Sequence, residues 1–78
     1  MEEQKNWLKQ LREMLGEKAG AKSQNELARK TKLTLQTIQN YEAGRSYPTE
    51  RNKVRLASAF GITPGQVSDA IDAWKKRQ

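Results

Sequence analysis

The chain has 78 residues, with 15 Lys or Arg against 9 Asp or Glu, so its net charge is +6. This length supports one small hydrophobic core, since such a chain buries only about 60% of its unfolded surface, and we expect a single domain over residues 1–78. Cysteine and histidine are both absent, which excludes disulfides and the usual zinc sites, and no apolar run approaches the roughly 20 residues of a membrane span.

A cytoplasmic protein without metal, cofactor or membrane contact is therefore expected, because the amino terminus also lacks the pattern of a secretory signal. The excess of basic residues suits a polyanionic partner. Basic residues are also common on solubilising surfaces, so the charge by itself identifies no partner.

The first predicted helix covers about residues 3–15. Its apolar residues fall on one face at helical spacing: Trp7, Leu8, Leu11, Met14 and Leu15. We expect Gly16 to end it. Residues 17–22 either extend this helix raggedly or form a mobile loop; their periodicity does not decide, and a loop is favoured.

A short second helix is predicted to begin at Gln24. Ser23 and Glu26 form an S-x-x-E pattern, in which the serine oxygen caps a helical amide while the glutamate reaches back to the serine amide. Leu27 and Ala28 supply the inward face. The small side chain of Ala28 permits another helix to cross closely at a steep angle.

A third helix follows after a tight turn, with Thr34 as its N-cap. Gly44 ends it and Pro48 prevents its resumption. Three residues lie at spacings that turn them toward the domain: Leu33, Ile38 and Tyr41. Four others are left facing outward: Leu35, Gln36, Gln39 and Asn40.

Two more helices complete an all-α prediction with five helices. The fourth is capped by Thr49, runs to Phe60 and ends at Gly61. The fifth opens with the residues T-P-G-Q at positions 63–66, which combine an N-cap threonine, a proline at N1 and the glutamine of a capping box. An apolar stripe follows on that helix: Val67, Ala70, Ile71 and Trp74.

The end of this stripe leaves two alternatives open. It continues one turn further than a core of this size requires, so Trp74 must find another surface. Either Trp74 folds back onto Trp7 and the first helix, or Ile71 and Trp74 form a dimer contact with a second copy of the chain.

The outward face of the third helix carries amides suited to DNA. Gln36 and Asn40 lie four residues apart, and such amides pair bidentately with adenine in the major groove, although in isolation they would be ordinary surface amides. Leu35 suits a thymine methyl group, while packing on the first helix or simple exposure explains it equally well. The candidate base-contacting residues are Leu35, Gln36, Thr37, Gln39 and Asn40.

Candidate phosphate contacts flank the two helices. The start of the second helix presents free amides and a partial positive charge, which make it a ready phosphate site. Neighbouring basic and polar side chains would position the protein without reading sequence, although a solvated charge explains each almost as well. The candidates are Lys22, Ser23, Gln24, Thr34, Arg45, Ser46 and Tyr47.

This arrangement resembles the helix-turn-helix of the Cro and cI-type phage repressors, often called the Xre-like family. The matching residues are Gln24, Glu26, Leu27, Ala28, Leu33, Ile38, Glu42, Gly44 and Pro48, with Leu56, Ala57, Phe60, Gly61, Ile62 and Val67 downstream. The resemblance implies a five-helix lambda-repressor-like fold with its helix-turn-helix at about residues 23–44. It also implies that Gln24 contacts a phosphate and that Glu42 forms a structural ion pair with Arg12.

The same resemblance implies a function. It indicates a sequence-specific transcriptional regulator that reads the major groove of double-stranded DNA with its third helix, as a homodimer on a palindromic operator. Domains of this kind are typical of repressors encoded by phages, plasmids or other mobile elements.

The chain departs from the family pattern at two places. Lys32 occupies the turn position that usually holds glycine, and a non-glycine residue in a left-handed conformation costs roughly 1 to 2 kcal/mol. Glu50 and Lys53 stand where the fourth helix usually carries apolar residues. We therefore expect that helix to be rotated, with Val54 and Ala57 on its inward side.

Two other classes of function fit the sequence less well. An enzyme is not expected, because Asp69 and Asp72 are the nearest approach to a carboxylate pair and no histidine base or cysteine nucleophile accompanies them. The stronger alternative is a protein-interaction module that binds a toxin, a recombinase or RNA polymerase. An antitoxin would combine such protein binding with DNA binding. A domain of that kind has no need for exposed amides flanked by basic residues, so DNA binding is favoured.

Overall fold

The computed structural model describes residues 6–77. Within that range the chain forms five α-helices and no strand, which confirms the predicted all-α class: α1 (Trp7–Ala19), α2 (Gln24–Thr31), α3 (Leu35–Glu42), α4 (Glu50–Phe60) and α5 (Pro64–Lys76). Helix α4 packs against α1, α2 and α5, while α3 packs against α1 and α2. Over the same residues, no helix has the length and apolar character needed to cross a membrane.

One hydrophobic core draws on all five helices. Its fully buried large side chains are Trp7, Leu8, Leu27, Ile38, Leu56 and Val67. Tyr41 and Phe60 are also buried, and the Trp7 and Tyr41 rings lie 6.3 Å apart between centroids. Because α3 contributes Ile38 and Tyr41 to this core, its opposite face is turned to solvent.

The amino-terminal boundary of α1 differs from the prediction. Residues 3–5 lie outside the described part of the chain, but Asn6 has an extended backbone and not a helical one. Its side-chain oxygen accepts hydrogen bonds from the amides of Leu8 and Lys9, at 2.8 and 3.4 Å. An N-cap at this position means that the helix begins at Trp7.

The carboxyl-terminal boundary of α1 also differs, because Gly16 does not end the helix. The helix continues to Ala19, and the Ala21 amide donates to the Gly16 carbonyl at 2.8 Å. Gly16 is buried, and a Cβ atom placed on it would lie only 2.7 Å from the Ala21 carbonyl oxygen. This glycine therefore permits a close approach between the helix and the segment that follows it, and half of the predicted loop over residues 17–22 is helical.

The turn between α2 and α3 contains a left-handed residue that is not glycine. Lys32 has φ 61°, the only positive φ among the non-glycine residues of the described range. The amide of Leu33 donates to the Ala28 carbonyl at 3.1 Å, which completes the helix cap around Lys32. The left-handed conformation expected at this position is confirmed.

Replacing Lys32 by glycine is expected to stabilise the domain by about 1 kcal/mol, because glycine adopts this conformation without a steric penalty. The melting temperature should rise by about 4–8 °C, which a thermal melt measures. Arg29→Gly, in the right-handed interior of the same helix, is the control and should destabilise by about 1 kcal/mol. A loss of stability in Lys32→Gly would show that the lysine side chain contributes more than its backbone costs.

The orientation of α4 corrects a further prediction. Val54, expected to face inward, is 53% exposed, whereas Ala57 is buried as expected. The Lys53 side chain is only 19% exposed, and its ammonium lies 3.3 Å from a Glu50 carboxylate oxygen. A lysine can bury its aliphatic stem while its charged end stays at the surface, so the helix is not rotated to bury Val54.

Helix α5 has the predicted capping box, in which Thr63 and Gln66 satisfy each other's backbone amides. Ile71 is buried within this chain, so it is not available for contact with a second copy. Trp74 is partly buried and packs against the core of its own chain, which favours the intramolecular alternative. Only the exposed part of Trp74 remains for a contact between copies.

Candidate nucleic-acid interface

The start of α2 is fixed by the predicted capping box. The Ser23 hydroxyl oxygen accepts from the Glu26 amide at 3.1 Å, and the Glu26 carboxylate accepts from the Ser23 amide at 3.0 Å. The hydrogen bond from the Ser23 backbone is the main cause that lowers the pKa of Glu26, so this carboxylate is ionised at neutral pH. The serine hydroxyl proton remains free to donate.

Three side chains connect the first helix to both ends of the helix-turn-helix segment. Arg12 donates from Nε and Nη2 to the two carboxylate oxygens of Glu42, at 2.6 and 2.9 Å. Gln24 donates to the same carboxylate at 3.1 Å, and Arg12 Nη1 donates to the Lys22 carbonyl at 2.6 Å. The start of α2 and the end of α3 are thus held at a fixed separation.

This cluster is largely shielded from solvent. The Arg12 and Glu42 side chains are 13% and 9% exposed, and their hydrogen bonds raise the pKa of Arg12 above its ordinary value. One amide proton of Gln24 is engaged by Glu42, so a phosphate contact from Gln24 would use its second side-chain proton or its backbone amide.

The exposed face of α3 holds the side chains predicted to face outward. Leu35, Gln36 and Gln39 are exposed, and Asn40 is half-buried at its margin. Thr37, the remaining candidate for a base contact, is also half-buried. Thr34 is engaged as the N-cap: its hydroxyl oxygen accepts from the Thr37 amide at 3.1 Å and lies 2.8 Å from the Thr37 hydroxyl.

The end of α3 brings a basic side chain back over this face. Gly44 is left-handed, with φ 76°, and the Arg45 amide donates to the Asn40 carbonyl at 3.0 Å. In addition, Arg45 Nη1 donates to the side-chain oxygen of Asn40 at 3.0 Å, and Gln36 Nε2 donates to the same oxygen at 3.1 Å. Gln36, Asn40 and Arg45 form one hydrogen-bonded group on the exposed face.

The loop after α3 lies beside the carboxyl end of α5. Lys75 Nζ is 4.3 Å from the centroid of the Tyr47 ring, a cation–π contact. Pro48 is buried next to this tyrosine, while Ser46 is exposed. Tyr47 therefore lies at the surface with the positive charge of Lys75 next to its ring.

A family model described as Helix-turn-helix matches residues 8–67, which is well over half of the chain. The chain belongs to the Xre/cI-like helix-turn-helix family. This family consists of DNA-binding transcription regulators, which are typically not enzymes. No curated protein and no solved structure gives a significant match to the chain.

Within this helix-turn-helix domain, the predicted candidates fall into separate groups. The structure brings Arg12 into contact with Glu42, and it brings Gln36, Asn40 and Arg45 together. The side chains of Lys22 and Ser46 are exposed without a hydrogen-bond partner in the described residues. Ile71 belongs to the core.

Two asparagines that position α3 were missed in the sequence. Asn6 is buried and donates to the Tyr41 carbonyl at 2.7 Å, and Asn52 donates to the Tyr41 hydroxyl at 2.9 Å. The position of Asn6 just before an apolar periodic run could have indicated an N-cap. Its contact with Tyr41, 35 residues away, has no local signal in the sequence.

Proposed function

We propose that this helix-turn-helix domain binds double-stranded DNA sequence-specifically, with the exposed face of α3 in the major groove. The observation that carries the proposal is the two-sided construction of α3. Ile38 and Tyr41 are fixed in the core, while amide side chains cover the opposite face. An α-helix fits the major groove, where amides distinguish adenine from the other bases. The proposed base-contacting residues are Leu35, Gln36, Thr37, Gln39 and Asn40.

Phosphate contacts are proposed on both sides of that face. Lys22 stands just before α2 and Arg45 just after α3, and both side chains are exposed. The amides at the start of α2 add a partial positive charge. The proposed phosphate contacts are Lys22, Ser23, Gln24, Thr34, Arg45, Ser46 and Tyr47. These groups, on a chain with a net charge of +6, would supply affinity that is independent of sequence.

The regulatory role is proposed from the family. Repression, and origin in a phage, plasmid or other mobile element, rest on the likeness to Cro and cI-type repressors. A dimer on a palindromic operator is part of the same proposal, with the exposed part of Trp74 as its candidate contact. A reporter gene behind the preferred site gives the sign of regulation.

The test begins by selecting bound sequences from a random DNA pool. Binding to the selected site and to random DNA is then compared at two salt concentrations. Gln36→Ala should cost about 1–3 kcal/mol on the selected site and little on random DNA. Gln10→Ala on α1 is the matched control and should change neither the affinity for the selected site nor the affinity for random DNA. Lys22→Ala should lower the salt slope by about 1 and leave sequence preference intact.

The outcomes separate the alternatives. Two half-sites about 34 Å apart in the selected sequence would indicate a dimer that meets the same groove face twice. Equal losses on selected and random DNA in Gln36→Ala would refute base reading by this residue. A wild-type protein that does not bind DNA at low salt would overturn the proposal and favour a protein-interaction module or an antitoxin.

A further inference from the structure

The group formed by Gln36, Asn40 and Arg45 has a fixed direction of hydrogen bonding. The guanidinium of Arg45 has only donors, so the Asn40 atom it contacts at 3.0 Å must be the carboxamide oxygen. The Gln36 atom at 3.1 Å from that same oxygen must then be the amide nitrogen. The chemistry of Arg45 thus determines the orientation of both amide side chains.

With this direction of hydrogen bonding, Asn40 and Gln36 keep different sets of free donors and acceptors for a base. A carboxamide oxygen has two acceptor positions, and on Asn40 both are used. Bidentate recognition of adenine requires an amide oxygen that accepts and an amide nitrogen that donates. Gln36 keeps its whole carbonyl oxygen and one amide proton, so it retains the complete set, whereas Asn40 would have to give up a bond.

We propose that Asn40, in place of a base contact of its own, acts as a positioning residue that holds the base-reading amide of Gln36, and that Arg45 anchors Asn40 while its remaining donors reach a phosphate. This inference rests on the proposed function, since it assigns separate roles within the same face of α3. Arg45 then affects sequence preference as well as general affinity, because its loss frees Asn40 and, through it, Gln36.

The test is a double-mutant cycle read as base preference at each position of the selected site. Gln36→Ala should lower preference at one base pair by about 5- to 150-fold. Asn40→Ala should lower preference at that same base pair, and the double variant should fall no further than Gln36→Ala alone, since the two residues act as one unit.

Asn40→Asp is the conservative variant. An aspartate accepts from both Gln36 and Arg45 but has no proton to donate to a base. Preference at the base pair read by Gln36 should therefore persist, while affinity for all DNA falls because of the added negative charge. Since the replacement is nearly isosteric at a half-buried site, a thermal melt should show an intact fold.

Arg45→Ala and Lys22→Ala form a second matched pair. Both should reduce the salt slope by about 1, but only Arg45→Ala should also reduce preference at the base pair read by Gln36.

Additive effects of Gln36→Ala and Asn40→Ala at two different base pairs would overturn the positioning role and leave the proposed function standing. Loss of preference in Asn40→Asp at a base pair other than the one read by Gln36 would likewise overturn the positioning role and leave the proposed function standing. A wild-type protein with no sequence preference would overturn both the positioning role of Asn40 and the proposed function.

Discussion

Replacing Glu42 by alanine is expected to lower the free energy of unfolding by about 3 kcal/mol, the cost of removing one partner of a shielded ion pair. Arg12 would keep its charge without a carboxylate, in a place where its side chain is only 13% exposed. Gln24 would lose the same acceptor. The melting temperature should fall by about 12–24 °C, since each kcal/mol corresponds to about 4–8 °C in a domain of this size.

Glu50→Ala is the matched control, because the Glu50 side chain in its ion pair with Lys53 is 87% exposed. Water screens that pair, so its loss should cost at most about 1 kcal/mol. Both variants are compared by thermal and urea melts. Similar losses in the two variants would show that shielding adds nothing to the Arg12–Glu42 pair.

Replacing Gly16 by alanine is expected to destabilise the domain by about 2 kcal/mol, against the direction of helix propensity. Alanine is favoured over glycine inside a helix by about 1 kcal/mol. Here the added Cβ would lie 2.7 Å from the Ala21 carbonyl oxygen and 2.8 Å from the Lys22 Cα. Both are backbone atoms, so the clash can be relieved only if residues 21 and 22 move. The cost of this overpacking outweighs the gain in helix propensity.

Gly65→Ala tests the same substitution in a helix with room for the methyl group. Its nearest neighbour would be the Thr63 hydroxyl oxygen at 3.7 Å, an ordinary contact. This variant should be more stable than the wild type by about 0.5–1 kcal/mol. A Gly16→Ala protein that gained as much in the same thermal melt would contradict the close approach of α1 to residues 21 and 22.

The beginnings of α2 to α5 were predictable because an N-cap involves residues close together in sequence. The caps predicted at Ser23, Thr34, Thr49 and Thr63 are all confirmed, and each side chain accepts from an amide three residues later. The left-handed conformation of Lys32 was expected from the family resemblance, because Lys32 occupies the turn position that usually holds glycine.

Two of the errors concern residues whose role depends on how the chain packs beyond the helix turn that contains them. Gly16 has the local appearance of a helix stop, and only the return of the chain at Ala21 shows that it serves close packing. Val54 is the more apolar neighbour of Lys53, yet the packing of α4 against α1, α2 and α5 decides which side faces inward.

In the candidate interface, too, some features follow from local sequence and others only from packing. The sequence alone determined which residues of α3 face outward, because helical periodicity and the buried positions of Ile38 and Tyr41 leave one face free. It also carried the resemblance that the family match supports. These features depend on local geometry and on spacing along one helix.

Only the tertiary structure decided how the side chains on and around that face are held. Arg12 reaches the Glu42 carboxylate at the end of α3 across 30 residues, and Gln24 donates to the same carboxylate. Asn6 reaches the Tyr41 carbonyl across 35 residues. Hydrogen bonds of this kind depend on distances of about 3 Å between separate segments, and those distances exist only after the helices have packed.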